Sequence, residues 1–337
     1  MTVDLPPYRP PLPLRSGHLQ TIVPTLFRTV EGVDYRRQRL ELDDGDFLDL
    51  DWVGRAAGAA VAVVAHGLEG STDRAYVRGM ARELARRGWA VCAWNLRGCS
   101  GEPNRLLSAY HSGMTGDLDA VVAHALDGGA ACVAVVGFSL GGNLTLKWLG
   151  EQGQDVDPRV VAGVGVSVPV DLRASSETME AWSRRIYMLR FMRSLTGKVI
   201  EKAERFPEAP DPAAFQGVRT FRQFDGLFTA PVHGFESAED YWERASSLPV
   251  LASIRVPTLL LNALDDPFLS PSCYPREVAG ANDEFTLLTP RYGGHVGFVR
   301  RGGTYWSEEV AGRFLDAARA QAVASSSASR AAPPSTA

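Results

Sequence analysis

The sequence predicts an α/β fold in which a mostly parallel sheet is covered on both faces by helices. Three observations predict it. Short apolar runs rich in valine and alanine alternate with stretches of helical periodicity, as in parallel sheets buried on both faces. The chain of 337 residues is long enough for one large domain. One long segment, residues 171–248, breaks the alternation and predicts a single helical insertion over the carboxyl edge of the sheet.

The predicted elements follow one another in a regular order. The stretch "RLELDDGDFLDLDWV" predicts a hairpin that turns at Asp44-Gly45. Apolar runs then predict strands over residues 60–67, 89–95, 132–138 and 160–169, and the same pattern returns in "VPTLLLNALDD" and "EFTLLTP". Helical periodicity predicts helices after Ser71, near residues 114–126, from Leu140, and over residues 306–320.

The two ends of the chain differ from this central domain of residues 15–321. Residues 1–14 are Pro-rich, which predicts an extended segment. Residues 322–337, "AVASSSASRAAPPSTA", are small and polar, which predicts disorder. The N-terminus lacks the basic start and apolar stretch of a signal peptide, and no run reaches transmembrane length. We therefore expect a cytoplasmic protein, with peripheral membrane contact left open.

Composition argues against several classes of function. The net charge of −4 gives no electrostatic reason to expect nucleic acid as a partner. The four cysteines show neither CxxC nor metal-ligand spacing, and no H-E-x-x-H or P-loop pattern occurs. The stretch "GVGVSV" lacks the last glycine of a dinucleotide-binding loop. We predict no metal and no organic cofactor; the oligomeric state is left open.

The stretch "VVGFSLGGN" contains the pattern G-x-S-x-G around Ser139. A β-branched run precedes it and a helical stretch follows, which is the strand–turn–helix context of a nucleophile elbow. Gly137 and Gly141 lack side chains that would collide with neighbouring elements, and a helix N-terminus favours negative charge beside Ser139. The alternative is a serine in an ordinary Gly-rich turn, but the flanking elements favour a nucleophile.

A serine hydroxyl needs a base to take its proton and an acid to orient that base. In a strand–turn–helix site the partners follow in the order serine, acid, histidine. Of the six histidines, only His295, in "YGGHVGF", lies after the last predicted strands. The loop "LLLNALDDPFLS" offers two acids. The Asp-Pro-aromatic step favours Asp266, and Asp265 is the alternative.

Acyl transfer also requires an oxyanion hole, for which two backbone N–H groups are candidates. The stretch "HGLEGS" follows the first long parallel strand, where the first donor is expected, and it supplies the N–H of Leu68. The second candidate is the N–H of Leu140, next to the predicted nucleophile. The same Gly-rich turn also suits the start of the following helix, and the two roles are compatible.

The insertion contains a helical stretch over about residues 177–205. Its apolar residues Trp182, Ile186, Leu189, Met192 and Val199 fall near one helical face. One interpretation is a helix packed on the domain with a solvated basic face. The other is a lid whose apolar face lines an acyl pocket and whose basic side meets an anionic membrane surface. The candidate substrate-binding residues of the insertion are Trp182, Ile186, Leu189 and His233.

Taken together, these motifs resemble one family, the YheT-like α/β-hydrolases, over residues 15–318. The stretches that carry the resemblance are "SGHLQTIVP", "HGLEGS", "NLRGCSGEPN", "YHSGMTGDL", "GFSLGGN", "SVPVDL", "LNALDDPF" and "GGHVGF". Their joint occurrence in this order is more specific than any single motif. The resemblance implies a serine carboxylesterase or monoacylglycerol-lipase-like enzyme with Ser139, Asp266 and His295 as its catalytic triad.

The sequence therefore predicts a serine hydrolase of the α/β-hydrolase fold that cleaves carboxylic esters through an acyl-enzyme. The expected substrates are short- to medium-chain acyl esters or monoacylglycerol-type lipids. Two other functions stay open: acyl transfer by the same triad, and lipid binding without catalysis. The natural substrate, its chain length and its head group are not fixed by the sequence.

Overall fold

The computed structural model describes residues 4–331, which contain one eight-stranded sheet. The strands are β1 (Arg36–Glu41), β2 (Phe47–Val53), β3 (Ala60–Ala65), β4 (Ala90–Trp94), β5 (Cys132–Phe138), β6 (Val160–Val166), β7 (Thr258–Leu261) and β8 (Phe285–Leu288). Their spatial order is β1-β2-β4-β3-β5-β6-β7-β8. The first two strands form an antiparallel hairpin, β2 pairs antiparallel with β4, and every later pair is parallel. This confirms the predicted fold class.

Helices cover both faces of the sheet. They are α1 (Gly17–Phe27), α2 (Ala75–Arg86), α3 (Thr115–Asp127), α4 (Leu140–Gln152), α5 (Leu172–Met179), α6 (Arg185–Arg205), α7 (Phe221–Phe224), α8 (Ala230–His233), α9 (Ala238–Ala245), α10 (Arg276–Ala281) and α11 (Trp306–Ala331). No helix among residues 4–331 combines the length and the apolar character that crossing a bilayer requires.

Two apolar cores lie on opposite faces of the sheet because successive strand residues point to opposite sides. In β3, Val63 belongs to the core that contains residues of α3 and α4, and Val64 belongs to the core that contains residues of α2 and α11. Central strands are buried on both faces, which explains why they read as continuous apolar runs. The carboxyl ends of β3, β5, β6 and β7 therefore lie along one rigid edge.

The segment between β6 and β7 forms a cap that contains α5 to α9. Its own apolar cluster is built from α5, α6 and the aromatic segment that follows, and consists of Met179, Met188, Met192, Leu195, Val199, Phe215, Phe224 and Phe228. The predicted helical stretch over about 177–205 is divided in the structure between the end of α5 and α6. The helical conformation is interrupted between α5 and α6, where the Arg184 guanidinium donates a hydrogen bond to the carbonyl of Pro267 at 2.6 Å. The break lets both helices contribute to one cluster.

The two ends of the domain pack together. In the Pro-rich segment, the Tyr8 hydroxyl donates to Gln20 Oε1 at 2.7 Å, and its ring stacks on Trp306 with centroids 4.7 Å apart. The closing helix continues to Ala331, so residues 322–331 are helical where the sequence predicted disorder. Alanine, the best helix former, recurs through this stretch and accounts for the difference. Residues 332–337 of the predicted tail lie outside the described residues.

Candidate active site

Ser139 lies on the tight turn between β5 and α4. Its backbone has φ +53°, a left-handed conformation that a non-glycine residue adopts only when its surroundings enforce it. A Cβ on Gly137 would overlap the carbonyl of Gly141, and a Cβ on Gly141 would overlap the carbonyl of His66. The two glycines of the motif therefore let the turn close against β3. The turn carries the serine hydroxyl beyond the sheet edge, next to the N-terminus of α4.

His295 and Asp266 complete a hydrogen-bonded chain with this serine. The Ser139 Oγ lies 2.9 Å from His295 Nε2, and His295 Nδ1 lies 2.9 Å from Asp266 Oδ2. With the proton on Nδ1 donated to the carboxylate, Nε2 is free to accept the serine proton. Asp266 also accepts from the Phe268 N–H at 2.9 Å, and its side chain is fully buried. The structure thus brings together all three predicted residues.

The neighbouring Asp265 makes different contacts. Its Oδ1 accepts from the N–H of Gly294 at 2.9 Å, so it supports the backbone of the histidine loop rather than the imidazole ring. Burial raises the pKa of the Asp265 carboxyl, and the nearby charge of Asp266 adds to that effect. Of the two acids that the sequence left open, only Asp266 is hydrogen-bonded to His295 among the described residues.

Helix α1 holds the histidine loop from the side. The N–H of His295 donates to Thr21 Oγ1 at 2.9 Å, and the N–H of Val299 donates to Gln20 Oε1 at 2.9 Å. The Phe268 ring stacks on the imidazole with centroids 4.1 Å apart. The sequence analysis assigned no role to Gln20 or Thr21, although both lie in the stretch "SGHLQTIVP" that carried part of the family resemblance.

The predicted oxyanion donors flank the serine. Gly67 and Glu69 donate their N–H groups to the hydroxyls of Tyr76 and Tyr110, at 3.0 and 2.9 Å. The N–H of Leu68 between them donates to no acceptor within residues 4–331. Leu140 is the first residue of α4, where a helical N–H has no intrahelical acceptor. Neither N–H group therefore has an acceptor among the described residues.

The oxyanion loop is tied to the cap through Glu69. This residue has φ +54°, and its buried carboxylate lies 3.0 Å from Lys198 Nζ on α6. It also accepts from the Tyr110 hydroxyl at 2.6 Å and from the Ser194 hydroxyl. Burial opposes ionisation of Glu69, but the charge of Lys198 and these hydrogen bonds outweigh it and hold its pKa below the usual value. No local sequence pattern indicates this link, because it joins residues more than 100 positions apart.

Two spaces meet at Ser139 and His295. The inner cavity encloses about 1290 Å³ including its open mouth. It lies under α6 and has mainly apolar walls, including Leu195, Val199, Phe224 and Phe228. The outer groove runs between α1 and α6 and is lined there by Ile22, Leu26, Ile186 and Arg190. The arrangement gives an ester two separate spaces, one for each side of the bond at the serine.

The candidate substrate-binding residues of the insertion are divided between these environments. His233 lines the inner cavity and Ile186 lines the outer groove. Trp182 and Leu189 line neither space and are 86% and 55% exposed, so the structure does not bring them together with Ser139. Helix α6 carries two apolar stripes, and the one through Met188, Met192, Leu195 and Val199 faces inward. Periodicity predicted an apolar face but did not select the buried one.

No group of three or more His, Cys, Asp or Glu side chains in the described part of the chain converges as metal ligands would. Arg97, which follows β4, is bound by Asp117 at 2.7 Å and 2.9 Å and by Asp44 at 2.6 Å. Its guanidinium is therefore engaged by carboxylates of the protein itself.

Comparison with known proteins extends this description. The model of a family with the α/β-hydrolase fold matches residues 62–300. YheT of Escherichia coli, a protein named as an esterase, is 40% identical over 303 residues, which span 87% of each chain. Phospholipase ABHD3 of Mus musculus is 31% identical, over 83% of this chain and 70% of the relative.

More distant relatives agree on the fold. Monoacylglycerol lipase of Saccharomyces cerevisiae is 30% identical over 75% of this chain and 58% of the relative. Among solved structures, the Pyrococcus furiosus esterase Pf2001 superposes with a TM-score of 0.59 at 18% identity, covering 87% of this chain and 96% of that one. The chain belongs to the α/β-hydrolase family and, within it, to the YheT-like members.

Proposed function

We propose that this protein hydrolyses carboxylic esters through an acyl-enzyme formed on Ser139. It is a carboxylic ester hydrolase of the esterase and lipase type, in keeping with its family. The observation that carries the proposal is the continuous hydrogen-bonded chain from the strained Ser139 through His295 to Asp266. A buried carboxylate that fixes one histidine tautomer is what activation of a serine hydroxyl requires.

In the acylation step, Ser139 Oγ attacks the ester carbonyl carbon while His295 Nε2 takes the hydroxyl proton. The carbonyl oxygen becomes an oxyanion and accepts hydrogen bonds from the N–H groups of Leu68 and Leu140. When this intermediate collapses, the bond to the alcohol oxygen breaks and His295 gives its proton to that oxygen. Asp266 stays ionised and stabilises the imidazolium during both proton transfers.

Deacylation repeats the same steps with water as the nucleophile. His295 Nε2 takes a proton from the water, whose oxygen bonds to the acyl carbon. The second oxyanion uses the same two N–H groups, and its collapse returns the proton to Ser139 Oγ with release of the acid. The outer groove reaches Ser139 and His295 between α1 and α6, which gives water a route to the acyl-enzyme.

The two spaces support a substrate with an apolar acyl chain. We infer that the chain occupies the inner cavity and the alcohol portion occupies the outer groove. Relatives named as monoacylglycerol lipase and phospholipase act on lipids whose esters have this two-part form. Short- to medium-chain acyl esters and monoacylglycerol-type lipids are therefore the substrates that we propose.

Turnover of p-nitrophenyl esters of graded chain length tests this proposal. We expect hydrolysis by the wild type and a loss of about 1000-fold or more in kcat for Ser139→Ala. Ser253→Ala, at an exposed serine away from both spaces, is the matched control and should match the wild type. Ser139→Ala with wild-type turnover would contradict the proposal. Product analysis with monoacylglycerol added as acceptor distinguishes hydrolysis from acyl transfer. Hydrolysis releases the free acid, whereas acyl transfer forms a new ester.

Contact with a membrane surface remains a proposal of its own. An exposed apolar stripe begins at Trp182, just before α6, and continues through Ile186 and Leu189 on α6, with Arg185 and Arg190 beside them. An apolar stripe flanked by arginines has the character of a helix that binds an anionic lipid surface. Replacing Trp182 with serine should weaken co-sedimentation with anionic vesicles, and unchanged co-sedimentation would count against this contact.

A further inference from the structure

The inner cavity follows one helix away from the nucleophile. Phe191 lines both spaces next to Ser139, and Leu195, Val199 and Lys202 line the inner cavity further along α6. Eleven residues separate Phe191 from Lys202, which corresponds to about 16 Å at 1.5 Å per helical residue. An extended chain attached at Ser139 would therefore meet Lys202 only at its far end.

The end of the inner cavity at Lys202 is polar, whereas the walls between Ser139 and that end are mainly apolar. Lys202 is buried, with only 6% of the residue surface exposed. Its ammonium donates to Asn104 Oδ1 at 2.6 Å and to the carbonyl of Leu106, which are both uncharged acceptors. Within residues 4–331, no carboxylate lies within ion-pair distance of it. A buried cation without a counter-ion is costly, and such groups are normally paired.

The charges around Lys202 do not cancel its own. Burial lowers its pKa to about 8, and the charge of Arg205 lowers it as well, while Asp46 and Glu201 act in the opposite direction. The carboxylate of Asp46 already accepts from Asn104, and Glu201 is exposed. At neutral pH the ammonium is therefore still protonated, and its two hydrogen bonds leave one of its three hydrogens without a hydrogen-bond acceptor among residues 4–331.

A second unsatisfied group lines the same cavity. The Nε2 atom of His233 is buried and has no hydrogen-bond partner among the described residues. Its ring packs edge-on against His111, with centroids 4.6 Å apart. Burial lowers the pKa of His233 to about 4, so this imidazole is neutral and can place a proton on Nε2. The nearby carboxylate of Asp225 is already occupied by the Thr229 hydroxyl and the Trp242 indole.

We propose that Lys202 and His233 form a subsite for a carboxylate at the far end of the substrate chain. The preferred substrates would then be esters whose apolar segment ends in an anionic group. The carboxylate would supply the counter-ion that Lys202 lacks and accept a hydrogen bond from His233 Nε2. A plain alkyl chain would leave both groups unsatisfied. This inference rests on the proposed ester hydrolysis and names its substrate class.

The first experiment compares two series of p-nitrophenyl esters of graded length, one of simple fatty acids and one of dicarboxylic acids esterified at one end. At the matching length, we expect the carboxylate-terminated ester to have a kcat/KM at least about tenfold higher. In Lys202→Met, the carboxylate-terminated and the simple ester should have equal kcat/KM. Arg193→Met, at an exposed residue of the same helix outside both spaces, should retain it.

The carboxylate can belong to the acyl part or to the alcohol part of the ester. Acetate esters of hydroxy acids of graded length test the second arrangement. If Lys202→Met lowers kcat/KM for the carboxylate-containing esters of this series alone, the anionic chain lies on the alcohol side. Equal kcat/KM for neutral and carboxylate-terminated esters in both series would overturn the subsite.

A binding measurement separates this inference from the proposed catalysis. Long-chain dicarboxylates should bind Ser139→Ala in calorimetry more tightly than fatty acids of the same length, and Lys202→Met added to that variant should remove the difference. This readout requires no turnover. An enzyme without esterase activity that still shows the preference would overturn the proposed function alone, whereas active enzyme without the preference would overturn the subsite alone.

Discussion

The catalytic edge of the sheet and the cap are held in place by different forces. At the edge, backbone geometry fixes Ser139, because Gly137 and Gly141 leave no room for a side chain and the serine adopts φ +53°. In the cap, side-chain packing of a methionine- and phenylalanine-rich cluster positions α6. Methionine fills irregular space and tolerates substitution. The comparison suggests that the reaction is fixed at the edge, whereas the range of substrates is set by the cap.

Changing the acid at the catalytic edge should have the largest effect. We expect Asp266→Asn to lower kcat by about 10⁴-fold, because the amide no longer holds the reactive tautomer of His295. Asp265→Asn, next to it in the chain, keeps an acceptor for the Gly294 N–H and should lower kcat by less than about tenfold. Steady-state kinetics on one p-nitrophenyl ester measures both. The reverse order would assign the acid role to Asp265.

Changing the cap should alter the substrate range rather than the chemistry. Val199 is fully buried on the inner cavity, whereas the next residue, Ile200, is exposed. We expect Val199→Phe to lower the ratio of long-chain to short-chain kcat/KM by about tenfold or more, since overfilling a packed space costs 1–3 kcal/mol. Ile200→Phe is the control and should keep the wild-type ratio. An unchanged ratio for Val199→Phe would exclude the inner cavity as the chain site.

Removing the contact between Glu69 on the oxyanion loop and Lys198 on the cap should have a smaller effect on kcat. Lys198→Met removes the partner of Glu69 and loosens the loop that presents the Leu68 N–H. Loss of an oxyanion donor costs about 10²–10³ in kcat, so displacement of one should cost about tenfold. Affinity for a boronic acid analogue of the transition state should fall in parallel while KM changes little. If KM rises and kcat is unchanged, Lys198 acts only on substrate binding.

The last expected effect is on the pH dependence of the free energy of unfolding. His66 Nε2 accepts from the Leu96 N–H at 3.1 Å, and burial lowers the pKa of this imidazole to about 4 from 6.5. The folded state therefore binds fewer protons between pH 4 and 6.5, and the free energy of unfolding falls as pH drops through that range. One such group changes the free energy of unfolding by at most about 1.4 kcal/mol per pH unit.

Urea unfolding between pH 4 and 7 measures this slope. His66→Asn keeps an acceptor and a donor but does not titrate, so it should reduce the slope. His124→Gln, at a half-buried histidine on α3, is the control that should leave the slope unchanged. An identical slope for wild type and His66→Asn would show that His66 does not govern the acid sensitivity.

The site residues that the sequence predicts most directly are those fixed by their immediate neighbours in the chain. Ser139 was recognisable because glycines two positions away on either side are required by the turn itself. His295 followed from chain order. The choice between Asp265 and Asp266 depended on loop conformation, which the structure supplies through the contact with the imidazole.

Contacts between distant parts of the chain were not predictable in this way. The buried stripe of α6 could not be chosen because the helix carries a second apolar stripe, and only packing on the domain distinguishes them. Glu69 and Lys198, or Thr21 and His295, are far apart in the chain, and nothing in either local pattern indicates the partner. The residues at the catalytic edge are indicated by local sequence patterns, whereas the contacts that shape the cap depend on tertiary packing.

Covalent labelling with a fluorophosphonate tests the central claim most directly, because the probe reacts with an activated serine regardless of the natural substrate. We predict one adduct per chain, located at Ser139 by peptide mass spectrometry. It should be absent from Ser139→Ala and form far more slowly in His295→Gln. No adduct on the wild type, or an adduct on another residue, would contradict the account of Ser139 as a nucleophile activated by His295 and Asp266.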